Sequence, residues 1–499
     1  MATDKSEKQL VEEYIRAFAL EECLDEVLND VVDARPTNPY VAIARAMEAK
    51  TMAEVIDVFV YPVIAANGGS AVQVKVVTNI GVFFGACGYA KANADDDNLI
   101  DCLALQDLLR DIIRHVDPRD LRAVDALLAA SESLNRFPHV VLATSIACCR
   151  AGARHKGQDL FRFIADFVNG PLDMTIPLPV ITVFTRANPM SNSEAKMPVQ
   201  DIMFMATTAM TLESCLESIM KLSNFVKSKV YDGAYPVTVS EGACPNFKFA
   251  TVEEAVTFGR DVVLESSVSG GMKMALDLKA GLFYRKSDPE NIGYDLGPEG
   301  TVTDAKALME TLSRLWRDAE LISVEDPVHD EGLAALPILG EKIDDAVAAI
   351  ERESSEELSY QLKGVGGEDG CRLQVVADGL VGSGEWDLEK LDALRASSVN
   401  TLKLRLSGFR TVSRALDACK AAKDGGWALQ VGSEEEAPET ADSFLADFAV
   451  GVGALQLAAG GLGTEGAVKY NRLLEIAQDE SIRFVAAGFR KIEKIKISN

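Results

Sequence analysis

The chain has 499 residues, 48% of them hydrophobic and 25% charged, which is enough for two or three domains with a large core. Its formal net charge of −26 argues against a protein that binds nucleic acid or an anionic membrane surface. Nine cysteines without a C-x-x-C pair predict reduced thiols, and the charged N-terminus and lack of a long apolar segment predict a cytosolic protein.

The first segment, residues 1–52, predicts a helical hairpin. Its apolar residues recur at the spacing of one amphipathic helix: Leu10, Val11, Tyr14, Ile15, Phe18, Leu24, Val27, Leu28 and Val31. Pro36 and Pro39 break this helix. Asn38 is placed to cap a second helix over residues 40–50, with Pro39 at its first position.

Two short helices cannot bury such stripes alone. A four-helix bundle with a second copy would cover them, and packing onto the rest of the chain is the alternative. The R-P-x-N-P turn resembles the RII-like dimerisation and docking motif of protein kinase A regulatory subunits and many ciliary proteins. That resemblance implies a homodimer with a groove for the amphipathic helix of a partner protein. The residues assigned to dimerisation and docking are Tyr14, Phe18, Leu24, Leu28, Pro36, Asn38 and Pro39.

Residues 53–174 predict an α+β domain in which antiparallel strands precede helices. The strands are expected over 55–61, 71–78 and 81–86, with Asn67-Gly68-Gly69 as the first turn. The helices are expected over 99–116, 118–134, 140–156 and 160–167.

From residue 175 to 489, short apolar runs alternate with helical stretches, which predicts an α/β barrel. Its eight candidate strands are 180–184, 202–205, 272–278, 321–326, 373–378, 401–404, 428–432 and 454–458. The interval after the fourth strand is long, so residues from about 335 to 370 are interpreted as a surface insertion that contains a helix. Residues 490–499 form a basic tail.

Three of these strands end in an acid, namely Asp277, Glu325 and Asp378, and the next strand carries Lys403. The C-terminal strand ends of a parallel barrel form the face where catalysis takes place. Carboxylates that converge there are the oxygen ligands that Mg²⁺ prefers. The pattern therefore predicts a Mg²⁺ site, and a buried cluster of acids and lysine without metal is the alternative.

The order of these four residues, with E-D-P at the second acid, resembles enolase. Further likeness lies in 137–166, Pro177-Leu178-Pro179, Gly426-Trp427, 442–451 and Lys469-Tyr470-Asn471. The resemblance covers roughly residues 54–480. It implies an enolase-type (β/α)8 barrel in which not all strands are parallel, preceded by an α+β domain. It also implies Asp277, Glu325 and Asp378 as ligands of Mg²⁺ and Lys403 as the proton-abstracting base.

Other parts of the enolase pattern are altered. Asp201 replaces a glutamate beside the general acids, and Glu241 matches one of those acids only after a shift, so both are interpreted as catalytic remnants. The histidine loop of the family corresponds to 185–192, which contains no histidine. Its phosphate-binding segment corresponds to 432–436, G-S-E-E-E, and its carboxylate-binding lysine to Ala458. Like charges close together in a cleft cost on the order of several kcal/mol, which disfavours a phosphorylated substrate.

The sequence therefore favours a degenerate enolase that serves as a structural or scaffolding component, with weak or no phosphopyruvate hydratase activity. Its resemblance to enolase-like proteins with N-terminal extensions implies a place in a cilium or flagellum, with an axonemal partner. The alternatives are an active Mg²⁺-dependent enolase that converts 2-phosphoglycerate to phosphoenolpyruvate, and a related enzyme with an uncharged substrate.

Overall fold

The computed structural model describes most of the chain. The described residues are 7–50, 53–89, 101–168, 174–185, 199–231, 244–245, 249–268, 271–285, 292–296, 302–319, 321–353, 373–382, 386, 388–433 and 437–484. The cysteines whose side chains it describes are free thiols. None of the described helices is both long enough and apolar enough to span a lipid bilayer.

The N-terminal module contains three helices rather than two. They are α1 (Glu7–Ala17), α2 (Leu20–Ala34) and α3 (Pro39–Lys50). The prediction of one long first helix is wrong, because the chain breaks at Ala19, whose φ of 46° is left-handed. The apolar stripe changes phase there, since the residues three and four positions after Phe18 are Glu21 and Glu22.

The predicted cap of the last N-terminal helix is confirmed. Asn38 Oδ1 accepts a hydrogen bond from the backbone N–H of Val41 at 3.3 Å, and Pro39 begins the helix. Val27 and Val31 of α2 are buried. An ion pair between Arg154 and Glu48 (2.8 Å) connects α3 to the domain that follows.

The α+β domain begins with the antiparallel sheet β1-β2-β3, which confirms the three predicted strands. They are β1 (Val55–Ile64), β2 (Ser70–Thr78) and β3 (Gly81–Gly88), and the helices after them are α4 (Cys102–Ile113), α5 (Leu121–Ala130), α6 (Pro138–His155) and α7 (Leu160–Val168). Helix α6 packs on β2 and β3 and is buried along most of its length. A Cβ at Gly85 would lie 2.1 Å from the carbonyl oxygen of Ala143, so glycine allows this close approach.

The barrel is a ten-stranded sheet that nearly closes on itself. Its strands are β5 (Leu178–Pro179), β6 (Ile181–Thr185), β7 (Asp201–Ala206), β8 (Cys244–Pro245), β9 (Met272–Asp277), β12 (Leu321–Glu325), β13 (Gln374–Ala377), β14 (Thr401–Leu404), β15 (Ala428–Gly432) and β16 (Gln456–Ala458). They are hydrogen-bonded in the order β5-β16-β15-β14-β13-β12-β9-β7-β6-β8. Because β5 and β6 are adjacent in sequence but lie near opposite ends of this order, the sheet curls into a barrel.

All eight predicted barrel strands are present. Strand β7 is antiparallel to both β6 and β9, while β9 and β12–β16 are parallel. The expectation that some strands are antiparallel is therefore confirmed. Two small strand pairs lie outside the barrel: β4 (Thr175–Ile176) with β17 (Arg483–Phe484), and β10 (Tyr284–Arg285) with β11 (Gly293–Tyr294).

Helices surround the barrel. They are α8 (Leu212–Tyr231), α9 (Val252–Glu265), α10 (Ala305–Ala319), α11 (Leu336–Glu353), α12 (Leu388–Ala396), α13 (Leu406–Phe409), α14 (Val412–Asp424), α15 (Phe444–Gly451) and α16 (Thr464–Ile476). Helix α11 falls in the predicted surface insertion, but it packs on α10 and buries Leu339 and Ile343. This part of the segment is therefore the barrel helix that follows β12. Residues 354–372 and the basic tail lie outside the described residues.

Candidate active site at the barrel mouth

The three predicted acids and Lys403 lie together at the C-terminal ends of neighbouring strands. Asp277 ends β9, Glu325 ends β12, and these two residues are paired in the sheet register. Asp378 follows β13, and Lys403 lies on β14. All four side chains are buried. The apolar residues that precede each acid form the strands, so the barrel itself carries the acids to one edge.

Lys403 contacts two of these acids. Its Nζ donates to Glu325 Oε1 at 2.6 Å and lies 3.8 Å from Asp378 Oδ2. Burial alone would lower the pKa of Lys403, but the attraction of Glu325 and of the other acids raises it above its ordinary value. The lysine therefore lies inside a cluster of opposite charge.

Arg405 is the principal site residue that the sequence analysis missed. Its Nε donates to both carboxylate oxygens of Asp378 at 2.9 Å, and Nη2 contacts the same carboxylate. Nη1 donates to the carbonyl oxygen of Ser433 at 2.7 Å, and Nη2 lies 4.0 Å from Glu325 Oε1. Side chains two positions apart along an extended strand point the same way. The position of Arg405 after Lys403 was therefore a usable signal.

The acids respond differently to this environment. Burial raises the pKa of Glu325 to about 7, although Lys403 opposes the shift. Burial and the charge of Glu325 raise the pKa of Asp277 well above its ordinary value. Burial would also raise the pKa of Asp378, but Arg405 and Lys403 hold it far below its usual range. Asp378 is therefore the acid most strongly bound to cations of the chain.

Asp326, the second acid of E-D-P, fixes the loop that carries Asp378. Its carboxylate accepts the backbone N–H groups of Asp378, Gly379 and Leu380 at 3.0, 2.6 and 3.2 Å. Its own φ of 44° lies in the left-handed region, which costs roughly 1–3 kcal/mol for a residue other than glycine. The three hydrogen bonds offset that strain and define the loop geometry.

The two predicted catalytic remnants differ in what the structure shows. Asp201 begins β7 and is the antiparallel neighbour of Asp277. Its Oδ1 is buried without a hydrogen-bond partner among the described residues, and burial raises the pKa of this carboxyl above its ordinary value. Asp201 therefore adds a further acid to the site. Glu241 lies outside the described residues.

A hydrogen-bonded polar layer lies towards the N-terminal ends of the same strands. Gln374 Nε2 donates to Gln456 Oε1 at 2.7 Å and to Thr401 Oγ1 at 3.0 Å. Gln430 Nε2 also donates to Gln456 Oε1, at 3.1 Å. All four residues are buried, and their hydrogen bonds connect strands β13, β14, β15 and β16.

A cavity of about 450 Å³ opens beside the acids. Its wall includes Asp378, Lys403 and Arg405 together with Lys279, His329 and Phe409. The cavity is large enough for a small molecule. Any such molecule would meet the bound acid–cation cluster directly.

Comparison with known proteins identifies the family to which a barrel with this arrangement of acids belongs. Residues 173–354 and 350–494 match the family model described as "Enolase, C-terminal TIM barrel domain". The chain belongs to the enolase family. It is 23% identical to "Cytosolic enolase 3" of Arabidopsis thaliana, over 96% of this chain and 98% of that protein. It is 27% identical to "Enolase" of Eimeria tenella, over 70% of this chain and 73% of that protein.

These comparisons confirm the resemblance to enolase and the barrel. The alignment with the Arabidopsis protein leaves about 4% of this chain uncovered, which is shorter than the segment 1–52. A protein named an enolase therefore aligns with part of the N-terminal module. The module by itself does not distinguish a scaffold from an enzyme.

The chemistry of the donor set decides whether the acids of this enolase-family chain fit Mg²⁺. Both oxygens of Asp378 accept hydrogen bonds from Arg405, and Glu325 Oε1 accepts from Lys403. Among the described residues, no group of three or more histidine, cysteine, aspartate or glutamate side chains is placed to hold a metal ion. The acids share one edge as predicted, but in this arrangement they do not fit a divalent cation.

Proposed function

We propose that this chain is a degenerate member of the enolase family that acts as a structural or scaffolding protein, with weak or no phosphopyruvate hydratase activity. One observation carries the proposal: the last residues of strands β15 and β16 carry no positive charge. Strand β15 ends at Gly432 and β16 at Ala458, and these residues are paired in the sheet register. The enolase resemblance places the phosphate-binding segment at 432–436, of which residues 432 and 433 are described, and the carboxylate-binding lysine at Ala458.

Lys403 packs where a larger residue on β15 would lie. A Cβ at Gly432 would be 2.6 Å from Lys403 Cε, so glycine makes room for the lysine as it reaches Glu325. Lys403 and Arg405 are both bound to acids of the chain. A substrate with several negative charges in the cavity would therefore face Asp326 and Asp378 and would have to compete with acids of the chain for both cations.

The proposal assigns the scaffolding role to the N-terminal module. Tyr14 and Phe18 pack against each other with ring centroids 4.9 Å apart. They belong to a set of large apolar side chains that one copy of the chain leaves exposed: Leu10, Val11, Tyr14, Phe18, Leu24, Leu28 and Val32. A second copy would cover this face as a helical bundle, and an amphipathic helix of a partner, axonemal in a cilium or flagellum, would dock on it.

One observation favours the alternative of an active enolase. Asp277, Glu325, Asp378 and Lys403 lie at the same barrel edge, where a working enzyme would need them. In that alternative, Asp277, Glu325 and Asp378 would hold Mg²⁺, which would stabilise negative charge on the substrate, and Arg405 would have to leave Asp378. In the proposal, Mg²⁺ binding by the wild-type chain is weak or absent.

The experiment is an absorbance assay for phosphoenolpyruvate with the full chain, 2-phosphoglycerate and excess Mg²⁺. We expect turnover far below the ~10 s⁻¹ typical of enzymes, because each lost electrostatic contact typically costs ~10²–10³ in rate. Lys403→Ala serves as the control for contaminating enolase. Turnover near the typical value that disappears in Lys403→Ala would contradict the proposal.

A further inference from the structure

We propose that Arg405 is a built-in cation that occupies the place of a divalent metal, and that replacing it opens a site for Mg²⁺ or Mn²⁺ formed by Asp277, Glu325 and Asp378. The inference deepens the function proposed above and concerns the same strand ends. It makes a separate claim about cation binding, which is measured without substrate.

The contacts of the guanidinium group carry this inference. Nε of Arg405 lies 2.9 Å from each oxygen of Asp378, and Nη2 reaches to 4.0 Å from Glu325 Oε1. The side chain thus neutralises one acid and lies beside another, which is what a bound metal ion would do. The guanidinium holds both oxygens of Asp378 by hydrogen bonds, so a metal ion that approached them from this side would meet a like charge.

The protein also fixes the guanidinium group from the opposite side. Nη1 donates to the carbonyl oxygen of Ser433 at 2.7 Å, in the segment that follows β15. Asp378 is held in turn by the Asp326-capped loop. Arg405 therefore spans two barrel strands with both ends anchored, and it is buried apart from 17% of its side chain. A cation that enters from solvent must displace a group that is already in place.

Removal of Arg405 leaves more negative than positive charge among the side chains at these strand ends. Glu325 and Asp378 would then keep their contacts with Lys403, at 2.6 and 3.8 Å, but would lose the second cation that neutralises them. Oxygen ligands with surplus negative charge favour hard divalent ions such as Mg²⁺ and Mn²⁺. The backbone positions of the acids are set by the strands, so the site is pre-formed except for the arginine.

The test uses the full chain and two probes, Mn²⁺ followed by electron paramagnetic resonance and Mg²⁺ followed by calorimetry. Arg405→Asn is compared with wild type and with Arg472→Asn. Arg472 is a matched control, because its Nε and Nη2 hold Asp447 at 2.8 and 2.7 Å away from the barrel mouth. We expect Arg405→Asn to bind Mn²⁺ about tenfold more tightly or better. The wild type and Arg472→Asn should not differ from each other.

A gain that disappears when Asp378→Asn is added to Arg405→Asn places the new ion at the strand ends. A folded Arg405→Asn protein with unchanged Mn²⁺ binding would overturn the inference. So would saturable Mn²⁺ binding by the wild type that Asp378→Asn removes, and this second result does not depend on the folding of Arg405→Asn.

Turnover by a wild type that binds no free cation would contradict the proposed function alone. Cation binding at Asp378 without turnover would contradict this inference alone.

Discussion

The N-terminal helices and the barrel mouth depart in opposite ways from the usual burial of apolar side chains and exposure of charged ones. The helices leave large apolar side chains such as Tyr14, Phe18 and Leu28 exposed, whereas the barrel mouth buries Asp277, Glu325 and Asp378. The buried acids are compensated within the chain, because Lys403 and Arg405 bind them. The exposed apolar face of the helices has no comparable cover among the described residues. The acids of the barrel mouth are thus neutralised within the chain, whereas the exposed face of the helices is where we propose that a second copy or a partner binds.

The largest effect is expected at the barrel mouth, from Arg405→Ala. Removing Arg405 breaks a buried ion pair and leaves Asp378 dependent on Lys403, at 3.8 Å, so the free energy of unfolding should fall by ~3–5 kcal/mol. Chemical denaturation of both proteins measures the difference. The control is Arg122→Ala, which removes an equally bidentate pair with Asp417 (3.0 and 2.8 Å) on the surface. That change should cost only ~0–1 kcal/mol, and equal losses for both variants would remove the distinction.

The next effect is expected in the helices, from Leu28→Asp in the isolated segment 1–52. We expect the wild-type segment to sediment as a helical dimer, and the variant to dissociate. Burial of one leucine in each copy contributes roughly 1.5–3 kcal/mol. Asn29→Asp, which adds the same charge at the neighbouring exposed position, should leave the dimer intact. A wild-type segment that sediments as a disordered monomer would show that the apolar face needs a different partner.

A smaller effect is expected from the cap of α3. Asn38→Ala removes the acceptor of the Val41 N–H group, which should lower the stability of the segment 1–52 by about 1 kcal/mol. The melting temperature of the segment, followed by circular dichroism, measures this loss. Asn38→Asp keeps an acceptor at the same place and should melt close to wild type. A similar loss in both variants would mean that the cap does not stabilise α3.

The smallest effect at neutral pH is expected at His139, a partly buried side chain that is neutral in the folded protein. Its ring stacks on Tyr89 with centroids 4.7 Å apart, and its Nε2 is buried without a hydrogen-bond partner among the described residues. Burial lowers the pKa of His139 to about 4, below the ordinary value of about 6.5. The unfolded chain therefore binds a proton first, and stability should decrease as the pH falls from about 6.5 to about 4.

His139→Asn should remove this contribution to the pH dependence while leaving the shape of the curve above pH 7 unchanged. The measurement is the free energy of unfolding across that pH range for both proteins. If the free energy of unfolding depends on pH in the same way in His139→Asn and in the wild type, then His139 gains a compensating partner as it is protonated.

The sequence predicted the parts of the fold that depend on apolar periodicity and on strand ends. The strand runs before Asp277, Glu325 and Asp378 are apolar and end in acid, so both the strands and the shared edge could be predicted. The break at Ala19 was also signalled, since Glu21 and Glu22 interrupt the stripe. Both halves have helical periodicity, which alone does not show that they belong to two helices.

The site itself was harder to predict, because its decisive contact depends on side-chain geometry. The strand alternation places Arg405 on the side of Lys403, but periodicity does not say that its guanidinium spans Asp378 and Ser433. A comparison with the enolase pattern identifies cations that are absent from it, and Arg405 is not part of that pattern. Helix α11 was interpreted as an insertion because of the long interval after Glu325, and only packing shows which face of a helix is buried.

The most direct test of the central claim, that the barrel mouth is neutralised from within, is a calorimetric titration of the wild-type chain with 2-phosphoglycerate in excess Mg²⁺. Typical enzymes have KM values of ~1 μM to ~1 mM, so titration to about 10 mM covers the range of a working site. We predict no saturable heat, because Arg405 and Lys403 are bound to acids and neither Gly432 nor Ala458 supplies a cation. Saturable binding below about 1 mM that disappears in Asp378→Asn would contradict this account.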